Sequence, residues 1–282
     1  MNRLPSKSNL KTFLRDHGFS AIDAEKWAEF TRQVLAIYWR AADQLLQPKY
    51  WEAFKQKNGA LGVPKKKRGG EVVRIPIEDA ITSEIGHFAD ELRSSLEADH
   101  FLRKHDVQFR YEGLVYDDKR SGRYSKKVDF SAKSAYPDAP TLMIEAKPLR
   151  STGDVQNCYF GADGMGCFLT DDSPYTKGPL GAMLAYTITN TNTSMRALVH
   201  DGLKTYEPAA VTIASVILDH ETTIDCSHHD RSPWKLVPIT ILHLERKFPS
   251  DILAPVDSLS ATEKQIQKGG TTRNLARKRK GS

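Results

Sequence analysis

Two acids and a lysine stand where apolar strands rarely carry charge. Asp129 lies between Val128 and Phe130, and Glu145 and Lys147 flank Ala146 directly after Leu142, Met143 and Ile144. Burying an unpaired charge is costly, so such residues need a partner or a task. Residues 123–149 (RYSKKVDFSAKSAYPDAPTLMIEAKPL) read as two strands joined by a turn over residues 134–140, where Pro and Asp are the turn formers. A turn centred near Tyr136 or Pro137 sets Asp129 opposite Glu145. Opposed side chains in a hairpin lie about 4.5–5.5 Å apart at Cβ, close enough for two carboxylates to repel unless a cation sits between them. Glu145 and Lys147 are two apart and share a face. The three groups predict a site for a hard divalent ion, Mg²⁺ with Mn²⁺ as substitute, acting on a phosphate ester. A lysine beside the ion would orient or activate the attacking water, or stabilise the charge that builds on phosphorus.

Asp129 followed by Glu145-Ala146-Lys147 resembles the signature of the PD-(D/E)XK nuclease superfamily, which includes restriction enzymes, junction resolvases and anti-phage nucleases. A more literal match, Pro137-Asp138 with Glu145-x-Lys147, is rejected. Asp138 falls in the turn, and seven extended residues put it roughly 20 Å from Glu145. The resemblance covers about a quarter of the chain. It implies an α/β, restriction-endonuclease-like core with a central mixed β-sheet flanked by helices. It also implies that Asp129, Glu145 and the Ala146 carbonyl hold the metal and that water attacks in line, leaving a 5′-phosphate and a 3′-hydroxyl.

Families of this kind add an acid from a helix before the sheet. Residues 77–97 have helical period, with an apolar stripe of Ile81, Ile85, Phe88 and Leu92 behind Pro76. Glu78 lies on the centre line of that stripe and is the expected further ligand or base, or holder of a second ion. Glu84 is the alternative. A structural role for Glu78, favouring the positive end of the helix, is the competing reading.

The chain of 282 residues carries a net charge of +6, which permits nucleic-acid binding without requiring it. The positive residues are grouped. Lys65-Lys66-Lys67-Arg68 precede the helix, Arg123, Lys126 and Lys127 precede Asp129, and a third group spans residues 273–280. The first two groups, with His228 and Arg231, are the expected contacts to nucleic acid, where lysine and arginine displace counterions from phosphate. Solvated loops are the plain alternative for each.

Three cysteines argue against a disulfide framework and for a reducing compartment. No apolar run is long enough to span a membrane, and the first residues lack the apolar stretch of a secretory signal, so a cytoplasmic location is expected. Residues 1–70 read as an N-terminal helical region with a basic linker, 71–255 as the nuclease-like core, and 256–282 as a flexible basic tail. Within the core, residues 107–116, 211–218 and 235–246 read as strands. Residues 181–190 read as an apolar segment continuing into a helix that packs on the sheet. Residues 150–179, with GADGMG, read as a loop around the site. Cys226 to Arg231 read as a polar loop between strands; a zinc site with Cys158 and Cys167 matches no finger spacing.

The sequence therefore predicts a Mg²⁺-dependent endonuclease, with double-stranded DNA as substrate and restriction or anti-phage defence as role, alone, as a homo-oligomer or with partner subunits. The DNA substrate and the role come from the resemblance; RNA and branched DNA stay open. The rival is a nucleic-acid-binding or assembly subunit that keeps the fold without cutting.

Overall fold

The computed structural model describes residues 8–58, 64–66, 72–74, 77–115, 126–136, 138–169, 174–188, 194–219 and 222–252. Three helices open the chain: α1 (Leu10–Asp16), α2 (Ala21–Leu45) and α3 (Pro48–Asn58). Asn9 and Ser20 cap α1 and α2, each accepting a backbone N–H of the first turn. A short antiparallel pair follows, β1 (Pro64–Lys66) and β2 (Val72–Arg74), where the sequence suggested only a linker. Next come α4 (Ile77–Ser94), α5 (Phe101–Lys104) and the meander β3 (Val107–Leu114), β4 (Lys127–Ser134) and β5 (Thr141–Leu149). A short helix α6 (Thr152–Asp154), a π-helical turn (Val155–Tyr159) and α7 (Gly166–Leu169) lead to β6 (Leu180–Thr187). The chain continues through α8 (Met195–Leu203), β7 (Thr212–Ile217), β8 (Thr223–His229) and β9 (Ile239–Lys247).

The protein is α/β, with a mixed seven-stranded sheet in the order β3-β4-β5-β6-β9-β8-β7. The central strands β5, β6 and β9 run parallel, and the pairs on either side are antiparallel. Alternation along each strand feeds two separate cores. Leu142, Ile144, Leu184, Tyr186, Leu242 and Leu244 meet the helices α1 to α5 on one face. Met183, Ala185, Ile239 and Ile241 meet Tyr159, Phe168, Met195 and Val199 on the other. The N-terminal helices thus share a core with the sheet: the Tyr38 ring of α2 lies 4.8 Å from that of Phe130.

Two segments differ from the sequence reading. Residues 180–187 form a strand, not the start of a helix. β6 is buried along its whole length, so it shows an unbroken apolar run rather than alternation, and periodicity cannot separate such a run from a buried helix. Residues 223–229 are also a strand rather than a loop. Their polar side chains are buried because they bond one another: Ser227 Oγ lies 2.8 Å from His243 Nε2 and 2.7 Å from His229 Nε2, and His243 Nδ1 lies 3.0 Å from the Tyr159 hydroxyl.

Gly181 shows how tightly β6 is covered. A Cβ there would stand 2.7 Å from the Phe168 ring and 3.5 Å from Ile239 Cδ1. Phe168 is fully buried and has nowhere to move. Gly181→Val should cost about 1–3 kcal/mol through overpacking. Thermal unfolding should show the melting temperature falling by several degrees; an unchanged melting temperature would mean that the second face is loosely packed.

Candidate metal centre

The site arises where two strands part. β4 and β5 pair from Lys133 and Thr141 up to Phe130 and Ile144, and there the pairing ends although both strands run on. Beyond that point the ladder with β6 holds β5 straight, from Ile144 to Leu149. The other neighbour of β4 is also interrupted here. β3 pairs at Tyr111 and Gly113 but not at Glu112, whose φ of 48° is left-handed. Left-handed backbone costs roughly 1–2 kcal/mol for a residue with a Cβ. Asp129 therefore sits at the mouth of a fork, past the last pair with β5 and opposite the one position that β3 skips. Its Oδ2 accepts the Ala146 N–H at 2.7 Å, so a carboxylate takes the place that a β4 carbonyl would fill in an unbroken ladder.

Glu145 and Lys147 stand on the far arm of the fork, and the first turn of α4 brings Glu78 to the same point. Ligand oxygens of Glu78, Asp129 and Glu145 all lie within 4.8 Å of one another. The Lys147 ammonium donates to Glu145 Oε1 at 2.7 Å and to Glu78 Oε1 at 2.8 Å. Glu145 and Lys147 are buried, and the Glu78 side chain keeps only 19% of its exposure. One oxygen of each carboxylate is thus tied within the protein. The second oxygen of Glu145 is buried and has no hydrogen-bond partner among the described residues.

Charge follows from this geometry. Burial, then the neighbouring Glu78, pushes Asp129 up to about 7. Burial, then Asp129, pushes Glu145 up to about 8. Glu78 is raised by burial as well. Burial would lower Lys147, but the carboxylates of Glu145 and Glu78 outweigh it and hold the ammonium above its ordinary range. Fully ionised, three carboxylates and one ammonium sum to −2, the charge that a divalent cation cancels. The orphaned Glu145 oxygen and the all-oxygen donor set fit a hard divalent ion.

Asp225 provides the contrast. It too is an acid inside a strand, and the rule that singled out Asp129 applies to it, although the sequence reading passed it over. Its carboxylate takes two bonds from Arg196, at 2.8 and 3.0 Å, and one from Ser215. Burial raises Asp225, but these donors outweigh it and bring it below the ordinary range. One strand acid is fully satisfied by protein donors, whereas the other cluster is not.

The remaining expected contacts are scattered. Glu84 points elsewhere and bonds Lys57 at 2.9 Å. Asp138 is exposed in the turn, and its carbonyl accepts from Lys26. Lys126 stands at the rim with its Nζ 5.7 Å from the centre of the Tyr175 ring, and exposed Lys127 pairs with Glu112 at 3.2 Å. The backbone of Lys65 and Lys66 lies in β1, while Lys67, Arg68 and Arg123 lie outside the described residues. Two expectations are corrected. His228 is buried, 3.1 Å from the Thr240 hydroxyl and against the His17 ring of α1. It stands on β8, three strand spacings from β5, or roughly 14 Å. Arg231 is fully buried and bonds only backbone carbonyls, so it is closed to nucleic acid. Both misreadings came from treating β8 as an open loop. Cys167 and Cys226 belong to opposite cores, which rules out a shared zinc. Tyr175 was missed, because a lone tyrosine in a turn-rich segment carries no periodic signal.

No family model, curated protein or solved structure matches this chain. Fold and site together define an α/β protein with an acidic centre at a fork in its sheet.

The raised carboxyls set the sign of the pH response. Their folded values lie above the unfolded ones, so the metal-free fold binds extra protons between about pH 4 and pH 8. The stability they contribute is fully present below that window and is lost as pH rises through it. Asp225 behaves oppositely, stabilising at neutral pH and losing its contribution in acid. Asp129→Asn keeps an acceptor for the Ala146 N–H and removes one crowded charge. At pH 8.5 without metal it should raise the melting temperature by about 3 °C or more, on the scale of 2–4 °C per kcal/mol. Mg²⁺ is expected to raise the melting temperature of the parent protein, and the substitution should abolish that rise. Asp225→Asn should lower the melting temperature at the same pH. If both variants moved in the same direction, the distinction between the two acids would be lost.

Proposed function

We propose that this chain is a divalent-metal-dependent endonuclease of the PD-(D/E)XK kind, hydrolysing phosphodiester bonds in double-stranded DNA. One observation carries the reading: Asp129, Glu145 and Lys147 converge at the strand fork with Glu78 from the helix that precedes the sheet. We read the mixed sheet with α4 as a restriction-endonuclease-like core on that basis. The choice of duplex DNA, and of restriction or anti-phage defence as biological role, follows the resemblance of the Asp129…Glu145-x-Lys147 pattern. Three free cysteines are in keeping with a cytoplasmic enzyme, and no helix among the described residues is long and apolar enough to cross a membrane.

Asp129, Glu145 and Glu78 would hold the ion, with Mg²⁺ the natural choice and Mn²⁺ a substitute. The bound ion would supply charge neutralisation at phosphorus and a more acidic water. The residues themselves do the rest. Asp129 is fixed by the Ala146 N–H, so its free oxygen needs no reorganisation before binding. Lys147 is paired with two carboxylates, and these favour the ammonium form. Its role is to donate hydrogen bonds, orienting the attacking water and stabilising the charge that develops on the phosphoryl oxygens. Glu78 positions that ammonium from the other side.

The test is cleavage of plasmid, linear duplex, single strands and RNA, with each of several divalent ions and with EDTA. The parent protein should cut duplex DNA only with metal. Glu145→Ala should be inactive. Lys147→Met should lose about a hundredfold or more in kcat. Calorimetry should show that it still binds Mg²⁺ at least as tightly as the parent, because an internal competitor has been removed. Equal cutting by parent, E145A and K147M would sink the assignment.

A further inference from the structure

Arg231 is an expensive residue to place where it is. It is fully buried, and no carboxylate among the described residues pairs with it. Buried guanidinium is costly unless every donor is satisfied. Here the side chain is spent on backbone. Nε donates to the Val237 carbonyl at 2.8 Å. Nη1 donates to Phe168 at 3.2 Å and Thr176 at 2.8 Å, and Nη2 to Gly178 at 2.8 Å with a longer contact to Lys177 at 3.5 Å. These carbonyls lie on both sides of the stretch that carries Tyr175. One guanidinium therefore fixes both ends of that segment in a single plane.

Tyr175 is where the segment meets the candidate centre. Its ring packs edge-on to Phe168 at 5.4 Å, and its N–H donates to the Cys167 carbonyl at 3.0 Å. It shares a core with Val128, next to Asp129, and with Leu149, two residues beyond Lys147. Lys126, three residues before Asp129, stands over its ring. Burial, then the negative charge of Glu145, raises the Tyr175 hydroxyl, and Asp129 adds to the effect. Tyr175 thus packs in the core that holds Val128 and Leu149, the neighbours of the fork residues, with the Cys167 thiol beside its hydroxyl and Lys126 over its ring.

We propose that Arg231 is a positioning residue for the carboxylate fork: by gripping the carbonyls of Phe168 and of residues 176–178 it holds Tyr175, with Lys126 above its ring, as the wall against which a phosphodiester is seated. The inference rests on the metal-dependent reading of the fork, and it assigns the wall a part in substrate placement rather than in holding the ion. Displacing the wall misplaces the phosphate while leaving the metal ligands where they are, and misplacement by an ångström can cost a hundredfold in rate.

Terbium(III), a hard oxygen-seeking ion that emits when a nearby tyrosine is excited, tests the arrangement apart from cleavage. Full-length parent protein should give sensitised emission that Glu145→Gln abolishes. Tyr175→Phe should bind terbium normally by calorimetry yet lose at least half the emission per bound ion. Arg231→Lys, folded by circular dichroism, should lose emission as Y175F does. With Mg²⁺ and duplex DNA it should drop about tenfold or more in kcat with little change in KM. Parental emission per bound ion in Y175F, or in folded R231K, overturns the proposal; if R231K does not fold, Y175F alone decides. Terbium emission that E145Q leaves intact overturns it together with the metal site. The expected emission pattern from a protein that cuts no nucleic acid upholds the Arg231–Tyr175 arrangement and removes the nuclease reading instead.

Discussion

The structure turns on the termination of one ladder. β4 and β5 stop pairing after Phe130 and Ile144, and everything at the candidate centre depends on that break. An unbroken hairpin would bury Asp129 against Glu145 with no room and no donor. Opening the ladder frees the Ala146 N–H for the Asp129 carboxylate and lets the first turn of α4 bring Glu78 in from the helical face. The parting is maintained from both sides. The parallel pairing with β6 pins β5, and left-handed Glu112 withdraws the third strand from Asp129.

Electrostatics then separates a poised site from a finished one. Burial dominates every carboxyl in the fork, and one ammonium does not satisfy three acids. Asp225, equally embedded, is served by Arg196 and Ser215 and has no oxygen left wanting. The two acids share a sequence context and differ in their donors. The useful distinction between a structural strand acid and a functional one is therefore the completeness of its hydrogen bonding rather than its burial.

The meeting of Asp129 with Glu145 was legible in the sequence because its signals are local, whereas the parting of the two strands there was not. The Asp129–Glu145 opposition follows from counting back from a Pro- and Asp-containing turn, and the structure ends β4 at Ser134 and begins β5 at Thr141. Glu78 was legible from its position on the apolar stripe of α4. What failed depended on distant partners. β6 looks like a helix because its burial comes from strands on both sides and helices on both faces, none of it encoded within eight residues. β8 looks like a loop because its Ser and His side chains find their partners on β9, at His243 and Thr240. Arg231 looked like a surface cation because nothing in CSHHDR announces that carbonyls some fifty residues earlier will surround it.

A centre made only of acids would resist folding until loaded, and the chain would depend on ion supply for its survival. Here Lys147 serves as a resident counter-charge, bonded to Glu78 and Glu145. Protons shared among the raised carboxyls offset the remainder. The fold therefore carries its own compensation for the acidic cluster and does not need a cation to close around it.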